Sequence, residues 1–146
     1  MIATDRPRRS ALYLPASNAK AMAKARTLPA DIVILDLEDA VAPEAKAEAR
    51  AASVAAIAEG GWGNREVAIR ANGLDTEWGA DDLAAIAASG ADAVLVPKIS
   101  GPEDIAACEA ALAGAPPAMQ LWAMIETCAC LPRLWDIAAL AENTRL

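Results

Sequence analysis

The 146-residue sequence contains no histidine. That absence removes imidazole general bases, Ser-His-Asp triads and histidine-ligated zinc. Acid–base chemistry has to come from Asp, Glu, Lys, Tyr13, a thiol or bound water. Cysteine is scarce, with only Cys108, Cys128 and Cys130. An odd count fits a reduced compartment better than a disulfide framework. Without histidine the C-x-C pair cannot complete a zinc site unless carboxylates or another chain help, so the three read as small buried hydrophobes. Positive charge is also short: thirteen Lys and Arg face twenty Asp and Glu, a net charge of −7. That balance argues against nucleic acid as a partner. Arg6, Arg8 and Arg9 read as a solvated N-terminal arm. No run approaches the ~18–20 apolar residues of a membrane span. The polar, basic stretch 1–10 lacks the apolar centre of a signal peptide. A cytoplasmic protein, not attached to a membrane, is the expectation.

What is present is an apolar-rich chain, 55% hydrophobic, long enough for one domain over residues 1–146 with a real core. Short apolar runs alternate with alanine-rich helical stretches, the βαβ rhythm of a parallel sheet. Strands are expected at 10–14, 31–37, 66–71, 93–99 and 120–126. The first helix starts at a cap on Ser17 or Asn18 and runs to 28. The second starts at Pro43, which tolerates a first helical position, and ends at Gly60-Gly61. The third covers 80–89. The fourth follows a Ser100…Glu103 capping-box spacing and ends near Gly114. The last covers 132–141. Trp62, Trp78, Trp122 and Trp135 are expected in core or helix–sheet packing, with Trp78 a candidate for lining a cleft.

Each apolar run leads into polar residues: Asp36, Glu38 and Asp39; Arg70 and Asn72; Lys98; Glu126. In a parallel sheet the strands' carboxyl ends share one edge, where α/β folds place ligands and chemistry. A strand period of two puts Asp36 and Glu38 on one face, and likewise Arg70 and Asn72. Carboxylates beside an Arg and a Lys suit a metal and an anionic substrate.

These segments carry a resemblance. Arg9-Ser10-Ala11-Leu12-Tyr13-Leu14-Pro15-Ala16-Ser17-Asn18 resembles the opening of the citrate lyase β-subunit-like family of the HpcH/HpaI aldolase superfamily. Ile34-Leu35-Asp36-Leu37-Glu38-Asp39-Ala40-Val41, with Pro43 and Lys46, resembles its second-strand signature. Arg70-Ala71-Asn72-Gly73-Leu74-Asp75-Thr76, Val96-Pro97-Lys98 and Ile125-Glu126-Thr127 resemble the next three. The five motifs fall in family order and cover nearly the whole chain.

The resemblance implies an α/β fold of TIM type, a (β/α)8 barrel of which this chain supplies about the first five βα units, assembled as a homo-oligomer. It implies Mg²⁺-dependent cleavage of a carbon–carbon bond in a short acyl-CoA such as citryl-CoA, malyl-CoA or citramalyl-CoA, by a reverse Claisen step. CoA is then part of the substrate. Glu126 matches a metal ligand, and the second ligand, an Asp, would fall after Leu146. Glu38 and Asp39 lie around the metal. Arg70 matches the substrate-binding arginine and is read as catalytic, binding substrate together with Asn72 and Lys98. The proton acceptor is Asp36 or a residue beyond Leu146. Ser17 and Asn18, at a helix start, are candidates for a CoA phosphate, against plain capping. Where family members often have a glycine after the I-E-T run, this chain has Cys128-Ala129-Cys130. Three readings remain open here: the acyl-CoA lyase, with thioester hydrolysis as a close variant; a non-catalytic CoA-binding or subunit-interaction domain; and an open flavodoxin-like sheet.

Overall fold

A computed structural model describes residues 6–146. Five parallel strands form one sheet in strictly sequential order: β1 (Ala11–Pro15), β2 (Ile32–Asp36), β3 (Glu66–Arg70), β4 (Ala93–Val96) and β5 (Gln120–Ala123). The helices between and after them are α1 (Ala19–Ala25), α2 (Lys46–Glu59), α3 (Gly79–Ala87), α4 (Pro102–Ala111) and α5 (Leu134–Ala138). β2 and β3 are buried along their whole length, which is why they read as continuous rather than alternating apolar runs.

The two sheet faces differ. Val33, Leu35, Val67, Ile69, Val94 and Leu121 point into one core, and every helix packs on that side, through residues such as Met22, Ala49, Leu83, Ile105 and Ile137. The opposite face carries a smaller cluster of Ile32, Ile34, Ala68, Ala93 and Leu95, flanked by Trp122 and Met124, with no helix residue among the described ones. A doubly wound sheet reverses its strand order and is covered on both faces. The observed order and one-sided helices therefore rule out the flavodoxin-like reading.

Several local expectations need correction. Arg8 is not part of a solvated arm. It grips Glu66 with two hydrogen bonds of 2.6 and 2.7 Å, reaches Gln120 and lies 5.7 Å above the Trp122 ring, at the amino end of the face without helices. Arg9 pairs with Asp31 at 2.8 Å and Arg6 donates to the Asn64 carbonyl. The stretch 1–5 lies outside the described residues. The fourth helix is not capped by Ser100 and Glu103. Pro102 takes its first position, Gly101 precedes it, and the Asp104 carboxylate accepts from the Ser100 and Gly101 N–H groups. Glu103 instead turns to Arg133. The last helical stretch breaks into 3₁₀ turns on both sides of the short α5, with Pro132 inside the first of them. Cys108 and Cys130 are buried as expected, but Cys128 is exposed. Burial pushes the Cys108 thiol up to about 11, leaving it an unreactive packing group. Trp62 is in the core, whereas Trp135 is 87% exposed.

One close approach fixes the loop behind the site. A Cβ added at Gly79, the first residue of α3, would sit 2.2 Å from the Gly73 carbonyl oxygen and 2.9 Å from the Leu74 Cα. Both neighbours are backbone, so neither can swing away. Gly79→Ala is expected to lower the stability by about 1–3 kcal/mol, as overpacking does, read as a lower urea midpoint. An unchanged midpoint would mean that the loop and α3 separate freely.

Candidate active site

The polar residues that follow the strands converge at the sheet's carboxyl edge. Asp36 and Arg70 are register partners on adjacent strands and point to the same face as Ile34 and Ala68. The Arg70 guanidinium donates to both Asp36 oxygens, Nε to Oδ1 at 2.7 Å and Nη2 to Oδ2 at 2.6 Å. Its remaining nitrogen, Nη1, lies 3.0 Å from Glu38 Oε2 and 3.6 Å from Asp39 Oδ2. Lys98 Nζ donates to Glu38 Oε1 at 2.6 Å, and the Lys98 backbone N–H donates to Glu126 Oε1 at 2.8 Å. Lys98 holds a left-handed backbone, φ +55°, a conformation that non-glycine residues adopt rarely and mostly at functional turns. The Tyr13 ring faces Arg70 at 5.5 Å. Six side chains, Asp36, Glu38, Asp39, Arg70, Lys98 and Glu126, from the ends of β2, β3 and β4 and the loop after β5, thus gather around Arg70 and Lys98, with Tyr13 of β1 beside them.

The electrostatics follow from burial and pairing. Burial raises the Asp36 carboxyl, but the Arg70 hydrogen bonds and charge, with the Glu38 and Ala40 amides, outweigh it and hold the group below the usual carboxylate range. The hydrogen bonds to Asp36 raise Arg70, keeping it charged. Lys98 is raised by its hydrogen bond to Glu38. Burial, partly offset by Arg70, raises the Tyr13 phenol.

This geometry changes two assignments. Asp36 is 2% exposed and its oxygens also accept from the Glu38 and Ala40 N–H groups at 2.9 and 3.1 Å. An ionised, buried carboxylate with its lone pairs engaged is a poor proton acceptor, so Asp36 orients Arg70 rather than acting as base. Asn72 is also 2% exposed. Its Oδ1 accepts from Lys46, and its Nδ2 donates to the Leu37 carbonyl and to Asp82. Asn72 has no donor left over for a substrate and belongs to the support behind the site. Asn18 caps α1, its Oδ1 accepting from the Ala21 N–H at 3.0 Å. Among the described residues no hydrogen bond links Ser17 or Asn18 to the acidic cluster.

Two groups escaped the sequence reading. Lys46 appeared only as part of a signature, and Asp82 not at all. Asp82 is fully buried and bound by Arg50 and Asn72. A carboxylate in the first turn of a helix normally reads as a helix-dipole residue, which hid it. Next to the cluster a cavity of about 170 Å³ opens between the loops after β3 and β4, lined by residues including Leu74, Asp75, Lys98 and Ser100.

Hard oxygen donors suit Mg²⁺, which usually takes one or two carboxylates and fills its octahedron with water and substrate. Among the described residues no three carboxylate or thiol groups converge as a complete metal cage. What is present fits the sparser arrangement. Glu38 Oε2 is buried and makes no hydrogen bond, its contact being the ion pair with Arg70 Nη1, Glu126 is engaged through Oε1 at an exposed position, and Asp39 is largely exposed.

The chain resembles known proteins in both sequence and fold. Residues 9–145 match the family described as HpcH/HpaI aldolase/citrate lyase. The chain is 44% identical over 133 residues to a (3S)-malyl-CoA thioesterase of Cereibacter sphaeroides, covering 91% of this chain and 45% of that protein. It is 40% identical over 108 residues to an L-malyl-CoA/β-methylmalyl-CoA lyase of the same species, covering 72% and 34%. A crystal structure of the CitE protein of Mycobacterium tuberculosis with magnesium, acetoacetate and coenzyme A superposes with a TM-score of 0.70 at 29% identity, over 91% of this chain and 46% of that one. The chain spans less than half the length of these curated relatives.

Proposed function

Because the chain belongs to the HpcH/HpaI aldolase/citrate lyase family, we propose that it carries the first strand-end half of a Mg²⁺-dependent site that cleaves the carbon–carbon bond of a short 3-hydroxyacyl-CoA of the malyl-CoA type. Its sheet forms the first five strands of a (β/α)8 wall, a reading supported by the sequential order and one-sided helices. The observation that carries the functional reading is the clamp on Arg70. Asp36 holds the guanidinium rigid while Nη1 remains among Glu38 and Asp39 at the mouth.

The chemistry needs charge stabilised where it develops. In a reverse Claisen step the hydroxyl proton leaves to a carboxylate, the bond between the carbinol carbon and the methylene breaks, and the electron pair passes to the thioester enolate. Protonation of that carbon gives acetyl-CoA, and the other fragment leaves as a 2-oxo acid. A fixed guanidinium stabilises such an oxyanion without reorganising during the reaction. Lys98, with an exposed side chain, offers a second cation to the acid end of the substrate or to a CoA phosphate. Glu126, with Glu38 and Asp39 beside it, would hold the metal, which supplies Lewis-acid polarisation of the substrate oxygen.

Thioester hydrolysis is the second reading, favoured by the 44% identity to a protein of that name. Malyl-CoA with Mg²⁺ separates the two. Carbon–carbon cleavage yields equimolar acetyl-CoA and glyoxylate, suppressed by EDTA, and this is the expected result. Malate and free CoA thiol without glyoxylate would replace the lyase by the hydrolase. Binding of CoA with neither product would leave the non-catalytic domain.

A further inference from the structure

The amino end of α2 buries a lysine that the proposed chemistry does not touch. Lys46 is 5% exposed. Its ammonium has three hydrogens and meets three oxygens: Leu37 O at 2.8 Å, Glu38 O at 2.9 Å and Asn72 Oδ1 at 2.7 Å. None of the three belongs to a carboxylate. The Trp78 ring lies 5.0 Å from Nζ. A buried charge persists only when its hydrogen bonds are complete, and here each donor is used.

The destination of those bonds matters. The Leu37 and Glu38 carbonyls belong to the turn whose amides, Glu38 N–H and Ala40 N–H, bind Asp36. The turn is therefore held from two sides, its carbonyls by Lys46 and its amides by the carboxylate that grips Arg70. Behind Lys46, Asn72 is anchored by Asp82, and Asp82 by Arg50. Arg50 lies four residues along α2, on the same helix face as Lys46.

We infer that Lys46 is a positioning residue: by fixing the 37–40 turn it aims Glu38 at Arg70 and Lys98, with Asn72, Asp82 and Arg50 as its mount. The catalytic part of this inference rests on the lyase reading above, whereas the turn-holding part does not. The half-buried Trp78 ring lies over the ammonium and shields one side of it from solvent.

Lys46→Met keeps the stem and removes the charge and donors. Ala56→Gly, in the same helix but away from the turn, serves as a destabilised control. Amide hydrogen exchange at residues 37–41 is expected to accelerate about tenfold more in Lys46→Met than in the control, the signature of local rather than global opening. With malyl-CoA, kcat is expected to fall about 100-fold while KM stays within about threefold, as for a site whose charged side chains are displaced by about an ångström. If Lys46→Met does not fold, Lys46→Gln, which keeps a donor for one carbonyl, replaces it under the same expectations. Exchange at 37–41 no faster than in Ala56→Gly overturns the inference whatever the activity. So does a kcat that falls no further than the control's. A parent protein that turns over no acyl-CoA would sink the lyase reading, and the exchange would still decide whether Lys46 holds the turn.

Discussion

Arg70→Met should lose turnover by about 100- to 1,000-fold, the usual cost of removing one preorganised donor to a developing oxyanion. It should also lose about 3–5 kcal/mol of stability, because removing one partner of a buried pair strands the other. Asp36 is the stranded group, 2% exposed and, among the described residues, with no second cation in contact. The double variant Arg70→Met/Asp36→Leu separates the two losses. It removes the stranded carboxylate, so stability should largely return, while activity should not. Recovery of activity in the double variant would show that Arg70 acts only as a structural partner of Asp36. The same pair shapes the acid limb. Asp36 has a depressed pKa in the folded protein, so its contribution is fully present above its unfolded value of about 3.9. That contribution disappears as pH falls through the lower folded value. Without Arg70, burial dominates and raises the carboxyl, so acid unfolding of Arg70→Met should begin at higher pH than in the parent. A urea series between pH 3 and 7 measures both effects.

The clustering of Asp36, Glu38, Arg70, Lys98 and Glu126 was legible because it depends only on strand order and a period of two. Parallel strands bring their carboxyl ends together whatever the loops do. The individual roles were less legible, because they depend on contacts distant in sequence. Asn72 looks like a substrate ligand from its place after β3, but its partners are Lys46 on α2 and Asp82 on α3. Asp36 looks like a base until both its oxygens are found engaged. Arg8 looks like a solvated arm because Glu66, which fixes it, lies at the start of another strand. Helix ends failed for a local reason: at α4 the proline shifts the start by one residue, and Asp104 takes the capping role assigned by spacing to Glu103.

Glu126 separates a structural acid from a metal ligand more cleanly than any other residue of the cluster. It lies beyond the end of β5, exposed, and among the described residues its one hydrogen bond is accepted by Oε1 from the Lys98 N–H. Glu126→Gln preserves that oxygen acceptor, so the left-handed Lys98 turn keeps its partner and the thermal midpoint should be unchanged. What the substitution removes is the negative charge. A hard cation such as Mg²⁺ binds an amide oxygen far more weakly than a carboxylate. Mg²⁺ affinity, measured by calorimetry or by Mn²⁺ paramagnetic resonance, should fall at least about 10- to 100-fold, the range already produced by losing a residue that only supports a ligand. Turnover at limiting Mg²⁺ should fall with it and recover in part at high Mg²⁺. Glu38→Gln should behave differently. It removes the charge that Lys98 and Arg70 share, so its effect should persist at saturating metal. An unchanged Mg²⁺ affinity in Glu126→Gln would sink the metal role of this residue. It would return Glu126 to the part of a buttress for the Lys98 turn.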